Sequence, residues 1–130
     1  MQTILIVDDS PMMRRMVRAA LTGLSDIRLV EAGSGLQAIE ILALEPVHTM
    51  VLDLNMADMH GLDVLGFLQS HPRHRGLPVL VLTTRGDDTS RGAAMAAGAS
   101  LYLTKPFSPA VLAASVRQLL DASPVSRSHG

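Results

Sequence analysis

Two adjacent aspartates, Asp8-Asp9, a third at Asp53, the pair Thr83-Thr84 and the tripeptide Thr104-Lys105-Pro106 are the residues of this 130-residue chain best suited to chemistry. Gathered into one crevice, three carboxylates would repel one another and lose hydration, so some must protonate or a cation must neutralise them. A hard divalent cation answers that need, and Mg²⁺ commonly binds through one or two carboxylates, waters and a phosphate. Lysine would add a point positive charge and Thr83 a hydroxyl donor, completing a cage for a phosphoryl group. Val7 runs straight into Asp8-Asp9-Ser10-Pro11 with no G-x-G-x-x-G or Walker pattern, which argues against a nucleotide. The remaining nucleophile candidate is a carboxylate, which can form an aspartyl-phosphate. Each residue alone has a plainer reading: a helix-start turn for Asp8-Asp9, a loop cap for Asp53, a strand-end threonine, a solvated lysine. The chemical reading depends on elements that bring them together.

Short apolar runs supply those elements. Ile4-Leu5-Ile6-Val7, Met50-Val51-Leu52, Val79-Leu80-Val81-Leu82 and Leu101-Tyr102-Leu103 recur about one strand plus one helix apart, with a weaker run at Ile27-Arg28-Leu29-Val30. Continuous rather than alternating hydrophobicity predicts parallel strands covered on both faces. Between them lie helical patterns. Ser10-Pro11 and Ser108-Pro109 each pair a cap residue with proline at the first helical position, and Ser34 can cap a helix bearing Leu36, Ile39 and Leu42. Leu62, Leu65 and Leu68 repeat at helical spacing after Gly61, while the alanine-rich 87–97 stretch, with Gly92 inside it, is the softest of the five helices. The β-α order, repeated five times with right-handed crossovers, predicts an α/β fold: an open, doubly wound, five-stranded parallel sheet of order 2-1-3-4-5. In such sheets ligands bind beyond the carboxyl ends of the strands, where Asp8-Asp9, Asp53, Thr83 and Lys105 all fall.

Composition narrows the function class. The length suits one domain, read here as residues 1–120 followed by a Ser/Pro/Arg-rich tail, 121–130, expected to be disordered. A formal net charge of −1 gives no whole-chain footprint for nucleic acid or an anionic membrane. With no cysteine, disulfide scaffolds, thiol catalysis and thiolate metal sites are excluded together. No apolar run approaches a membrane span, and no signal peptide opens the chain, so a cytoplasmic protein is expected. Lys105 is the only lysine beside ten arginines, and it falls where the acidic edge needs a compact charge that arginine's planar fork replaces poorly.

Over roughly Thr3 to Leu120 these residues resemble the receiver domain of two-component response regulators. Val7-Asp8-Asp9-Ser10 looks like that family's acidic pair, and Leu52-Asp53-Leu54-Asn55-Met56, with Gly61 eight residues after the aspartate, like its phospho-acceptor segment. Leu82-Thr83 looks like its hydroxyl-bearing strand end, and Lys105-Pro106-Phe107 like its lysine–proline motif. The resemblance implies a flavodoxin-like fold and an Asp53 that accepts a phosphoryl group from a histidine kinase or phosphotransfer protein. It also implies Mg²⁺ held by Asp9, Asp53 and the Asn55 carbonyl, with Asp8 acting through water. Lys105 would bind the phosphoryl group across a cis peptide to Pro106. Thr83 would reorient towards that group and Tyr102 would follow inward, forming a switch that alters binding to a downstream protein. No nucleic-acid or membrane partner is implied, and slow self-dephosphorylation rather than turnover is expected. The Asp-Asp-Ser-Pro-Met-Met-Arg-Arg and Thr-Lys-Pro-Phe segments look most like the stand-alone, chemotaxis-type branch. Three positions depart from the family's pattern. Ala57 replaces the usual proline, which predicts a less rigid loop; Thr84 is larger than usual; and Arg85 faces the region of Asn55, where it could contact the phosphoryl group or Asp58. Arg85 and Asn55 are accordingly read as setting the lifetime of the phosphorylated state.

Two other functions compete with this one. A phosphorylation-silent scaffold of the same shape would be expected to lose one of Asp8, Asp9, Asp53, Thr83 or Lys105. A small Mg²⁺-dependent phosphohydrolase would need a second aspartate where Asn55 stands. His71 and His74 sit in a proline-interrupted basic loop and are read as solvated; His60 is read as an exposed loop residue, and His48 as packing or capping. Met13 and Met16 are expected to face the sheet, leaving Met12 with Arg14, Arg15 and Arg18 as a surface for an acidic partner. Ala110, Ala113 and Ala114 mark a flat face near Tyr102 that could carry output.

Overall fold

A computed structural model describes residues 1–122; residues 123–130 lie outside the described part. Five strands and five helices alternate: β1 (Gln2–Val7), α1 (Pro11–Leu21), β2 (Ile27–Ala32), α2 (Gly35–Leu44), β3 (Thr49–Leu52), α3 (Gly61–Ser70), β4 (Val79–Thr83), α4 (Asp88–Ala96), β5 (Leu101–Thr104) and α5 (Pro109–Ala122). All strand pairs are parallel and the spatial order is β2-β1-β3-β4-β5, the sheet expected from the sequence. β1, β3 and β4 are the central strands and are almost wholly buried, which is why their sequences are continuously apolar. The edge strands β2 and β5 are half-exposed, matching their weaker runs. α5 takes in Asp121 and Ala122, the first residues of the segment expected as tail; the rest of that segment lies outside the described residues.

Alternate residues of each strand feed two cores. Ile4, Ile6, Val51, Leu80 and Leu82 pack with Val17 and Leu21 of α1 and with Leu112, Val116, Leu119 and Leu120 of α5. Leu5, Val7, Met50, Leu52, Val79 and Val81 pack on the other face with Ala38, Leu42, Val64, Leu65, Leu68 and Ala94 of α2, α3 and α4. Each such fully buried aliphatic side chain contributes about 1.5–3 kcal/mol relative to exposure.

Helix starts follow the local signals. Ser10, Ser34 and Ser108 accept backbone N–H groups at the starts of α1, α2 and α5, with Pro11 in the first turn of α1 and Pro109 opening α5. His60 and Asp87 cap α3 and α4. α4 buries only Ala94, and the chain leaves it through Gly98, whose φ of 113° suits a residue without a Cβ.

Two helix faces differ from expectation. α2 buries Gly35, Ala38 and Leu42 and leaves Leu36 56% exposed, because Gly35 is pressed against Met59, where a Cβ would lie 2.9 Å from the Met59 Cβ; that contact fixes the helix's rotation. In α1 the inward residues are Val17 and Leu21, and Met16 is 48% exposed rather than turned to the sheet. It lies one turn from exposed Met12, on the helix flank.

Candidate functional site

Backbone pairing continues one residue past three strands and fixes the residues there. The N–H of Asp8 donates to the carbonyl of Ala32 (3.2 Å), that of Asp53 to Val7 (2.9 Å) and that of Lys105 to Thr83 (2.8 Å). Asp8 and Asp53 are thereby held on neighbouring strands at the carboxyl end of the sheet, with Lys105 on β5, two strands beyond Asp53. Asp8, Asp9 and Asp53 each bring a carboxylate oxygen into one group whose members lie within 4.8 Å of one another. Asp8 and Asp53 are buried and Asp9 is exposed.

Lys105 is the cation among them. Its Nζ donates to Asp8 Oδ2 at 2.8 Å and lies 3.7 Å from Asp53 Oδ1, so it serves Asp8 first. The other Asp8 oxygen accepts the N–H of Ser10 (2.9 Å), and one oxygen of Asp9 accepts the N–H of Ala57 (3.0 Å). Asp53 is less well compensated. Burial pushes its carboxyl above the ordinary aspartate range; Lys105 pulls it back, Asp8 pushes it up again, and the Asn55 N–H and Thr83 hydroxyl offset part of the rise. The result is a buried, poorly hydrated carboxylate beside a lysine and a hydroxyl that a bound anion could share. Three hard oxygen donors in one group are the donor set that suits Mg²⁺, and Asp8, Asp9 and Asp53 are the residues that could hold it.

Thr83 is fully buried at the end of β4, with its hydroxyl 3.5 Å from the Asn55 amide nitrogen. Tyr102 of β5 is turned inward: its ring is buried, its hydroxyl donates to the carbonyl of Arg85, and the Arg91 guanidinium lies 4.9 Å from the ring centre. Burial, with Asp87 nearby, pushes the phenol up. Thr83 and Tyr102 are thus joined through the loop that carries Arg85. The Lys105–Pro106 peptide is cis.

Some placements differ from the sequence reading. The Arg85 side chain lies against Asp87 (3.4 Å), not against Asp58. Asp58 instead accepts the N–H groups of Gly35 and Leu36, each at 3.1 Å, which holds its carboxyl below the ordinary range and ties the β3–α3 loop to the start of α2. The basic face expected on α1 is largely occupied. Arg14 and Arg18 both bind Glu31, at 3.0 and 2.7 Å, leaving Arg15 exposed. Arg14 also donates to the Asp8 carbonyl (2.6 Å), a support of the acidic pair that only the fold reveals. His60 is exposed as expected but also caps α3 through Nδ1, and His48 accepts the N–H of Thr3 through its own Nδ1. His71 and His74 stack around Phe67, far in sequence from the carboxylates.

Gly61 shows how tightly the acceptor segment is held. A Cβ there would lie 2.7 Å from both the Asp53 carbonyl oxygen and the Leu54 Cα. Gly61→Ala is expected to lower stability by about 1–3 kcal/mol, because backbone must move. The displaced segment should also weaken Mg²⁺ binding; a denaturant midpoint and a Mg²⁺ titration check both.

Comparison with known proteins agrees with this arrangement. The profile of the response regulator receiver domain matches residues 4–117. The chain is 33% identical over 118 residues to a chemotaxis protein CheY homolog of Campylobacter jejuni, covering 90% of this chain and 91% of that one. It is 35% identical over 121 residues to the chemotaxis protein CheY1 of Helicobacter pylori, covering 92% and 98%. The structure of the Vibrio cholerae chemotaxis protein CheY4 matches with a TM-score of 0.85 at 28% identity, over 92% of this chain and 99% of that chain. Among the described residues, no helix is long and apolar enough to cross a membrane.

Proposed function

The chain belongs to the response regulator receiver family, and we propose that it signals by accepting a phosphoryl group on Asp53. The observation that carries this reading is the place of Asp53, a buried carboxylate with an oxygen within 4.8 Å of those of Asp8 and Asp9 and 3.7 Å from the lysine it shares with Asp8. Its oxygen attacks the phosphorus of a phosphohistidine on a histidine kinase or phosphotransfer protein. The P–O bond forms as the donor's P–N bond breaks, and the leaving imidazole keeps the electron pair and takes a proton from water. Mg²⁺, when bound by Asp8, Asp9, Asp53 and the Asn55 carbonyl, offsets the charge that builds up on the transferred group. Lys105 holds a phosphoryl oxygen as a point charge, and Thr83 turns its hydroxyl to another.

Output then follows from bonds available in only one arrangement. Thr83 moving towards the phosphoryl group favours the inward Tyr102, whose hydroxyl is bonded to the Arg85 carbonyl. The altered surface beside α4, β5 and α5, where Val111 is 51% exposed, meets a protein target, by likeness one of chemotaxis type. Arg85 and Asn55 tune how long the phosphorylated state lasts, and hydrolysis is slow self-dephosphorylation rather than turnover.

Incubation with Mg²⁺ and a small-molecule phosphodonor, followed by intact-mass measurement, tests the reading. Wild type should gain one phosphoryl group and Asp53→Asn none, and the fluorescence of Tyr102, the only tyrosine, should change with the adduct. An adduct that forms equally on Asp53→Asn rejects Asp53 as the acceptor.

A further inference from the structure

The carboxylates of the acidic group are held unequally. Asp8 is fixed by Lys105 and the Ser10 N–H, and Asp53 by the Asn55 N–H and Thr83. Asp9 is exposed, and among the described residues its carboxylate accepts one backbone donor, the N–H of Ala57 at 3.0 Å. An exposed aspartate without such a contact samples several rotamers, and binding a cation would then carry the cost of ordering it.

We propose that the Ala57 amide is a positioning group for the cation, aiming Asp9 into the acidic group before the cation arrives. The bond takes one acceptor site of Oδ2 and leaves the carboxylate's remaining lone pairs for coordination. It works because the amide is itself fixed. The next residue, Asp58, bonds the N–H groups of Gly35 and Leu36 at 3.1 Å, and Met59 is wedged against Gly35. Residue 57 is therefore strung between the start of α2 and Asp9. A proline at this position has no N–H and cannot make the bond. The absence of a stiffening proline is thus offset here by a direct contact to a cation-holding side chain, rather than leaving a looser loop.

The inference rests on the proposed Mg²⁺ site, and Mg²⁺ titration followed by calorimetry and by ¹H–¹⁵N spectra separates the two. Ala57→Pro should bind Mg²⁺ about five-fold more weakly than wild type, the size expected from one lost hydrogen bond. Ala57→Gly, which keeps the N–H, should stay within about two-fold of wild type. Stiffening alone has the opposite sign, because proline reduces the loop freedom lost on binding. In wild type the Ala57 amide should resist hydrogen exchange with and without Mg²⁺, and should lose that protection in Asp9→Ala. That measurement does not depend on how well Ala57→Pro folds. Equal or tighter binding by Ala57→Pro, or an Ala57 amide that exchanges freely in wild type, overturns the positioning role alone. Failure of wild type to bind Mg²⁺ overturns the cation site and this inference together.

Discussion

Asp53→Asn is expected to abolish phosphoryl acceptance and, in Mg²⁺-free buffer, to make the protein more stable than wild type. The gain follows from what Asp53 lacks. The residue is 7% exposed, it lies in one group with Asp8 and Asp9, and Lys105 stands nearer to Asp8 than to it. An amide of the same shape removes the buried charge while keeping a carbonyl oxygen for the Asn55 N–H. About 1–2 kcal/mol is expected, or about 4–8 °C in melting temperature for a domain of this size. The pH dependence has a definite sign. The folded carboxyl is raised above its unfolded value near 3.8, so the folded state holds the extra proton, and stability falls as pH rises through that window. The penalty on wild type is complete above the folded pKa and absent below the unfolded one. The Asn variant's advantage should therefore be full at neutral pH and vanish in acid. A melting temperature that does not rise, or a rise that persists unchanged in acid, would show that Asp53 is not strained by its burial.

Position at the strand ends, more than charge, explains which parts of the candidate site could be read from sequence. Asp8, Asp53 and Thr83 stand one residue beyond apolar runs and Lys105 two, and parallel pairing carries such positions to one edge whatever the remaining contacts are. Ser10, Ser34 and Ser108 act on N–H groups three residues away, so their capping is written locally. Asp58 is different. Its partners lie 22 and 23 positions back, on α2, and nothing near it in sequence marks it as a cap for another helix. Arg14 and Arg18 look like a free basic face until β2 brings Glu31 beside them. The Ala57 amide carries no side-chain signal at all, since any residue but proline supplies the same donor. Leu36 and Met16 fit a helical period yet face outward, because period fixes which residues share a face but not how that face is turned. Gly35 against Met59 decides the turn for α2.

Lys105→Met is expected to cost about 3 kcal/mol in Mg²⁺-free buffer and to recover much of it when Mg²⁺ is added, because it removes the one lysine from a buried acidic group. The lysine side chain is only 10% exposed, with Nζ at 2.8 Å from Asp8 and 3.7 Å from Asp53. Without it, the Asp8 and Asp53 carboxylates lose the ion pair they share among the described residues, and added Mg²⁺ is the cation that can replace it. Lys105→Arg separates charge from shape. It keeps the positive charge and should retain most of the stability, but a planar guanidinium spreads that charge over a fork wider than the ammonium group. Seated between Asp8 and Asp53, the fork would favour a paired bond to one carboxylate and withhold a single compact donor from the phosphoryl oxygen. Lys105→Arg should therefore accept the phosphoryl group from a small-molecule donor yet show a Tyr102 fluorescence change much smaller than wild type's. Equal stability of Lys105→Met and wild type in Mg²⁺-free buffer would remove the lysine's role in holding the acidic group. A wild-type Tyr102 response in phosphorylated Lys105→Arg would show that charge alone suffices, and that a chain with ten arginines and one lysine has no chemical reason to keep the lysine there.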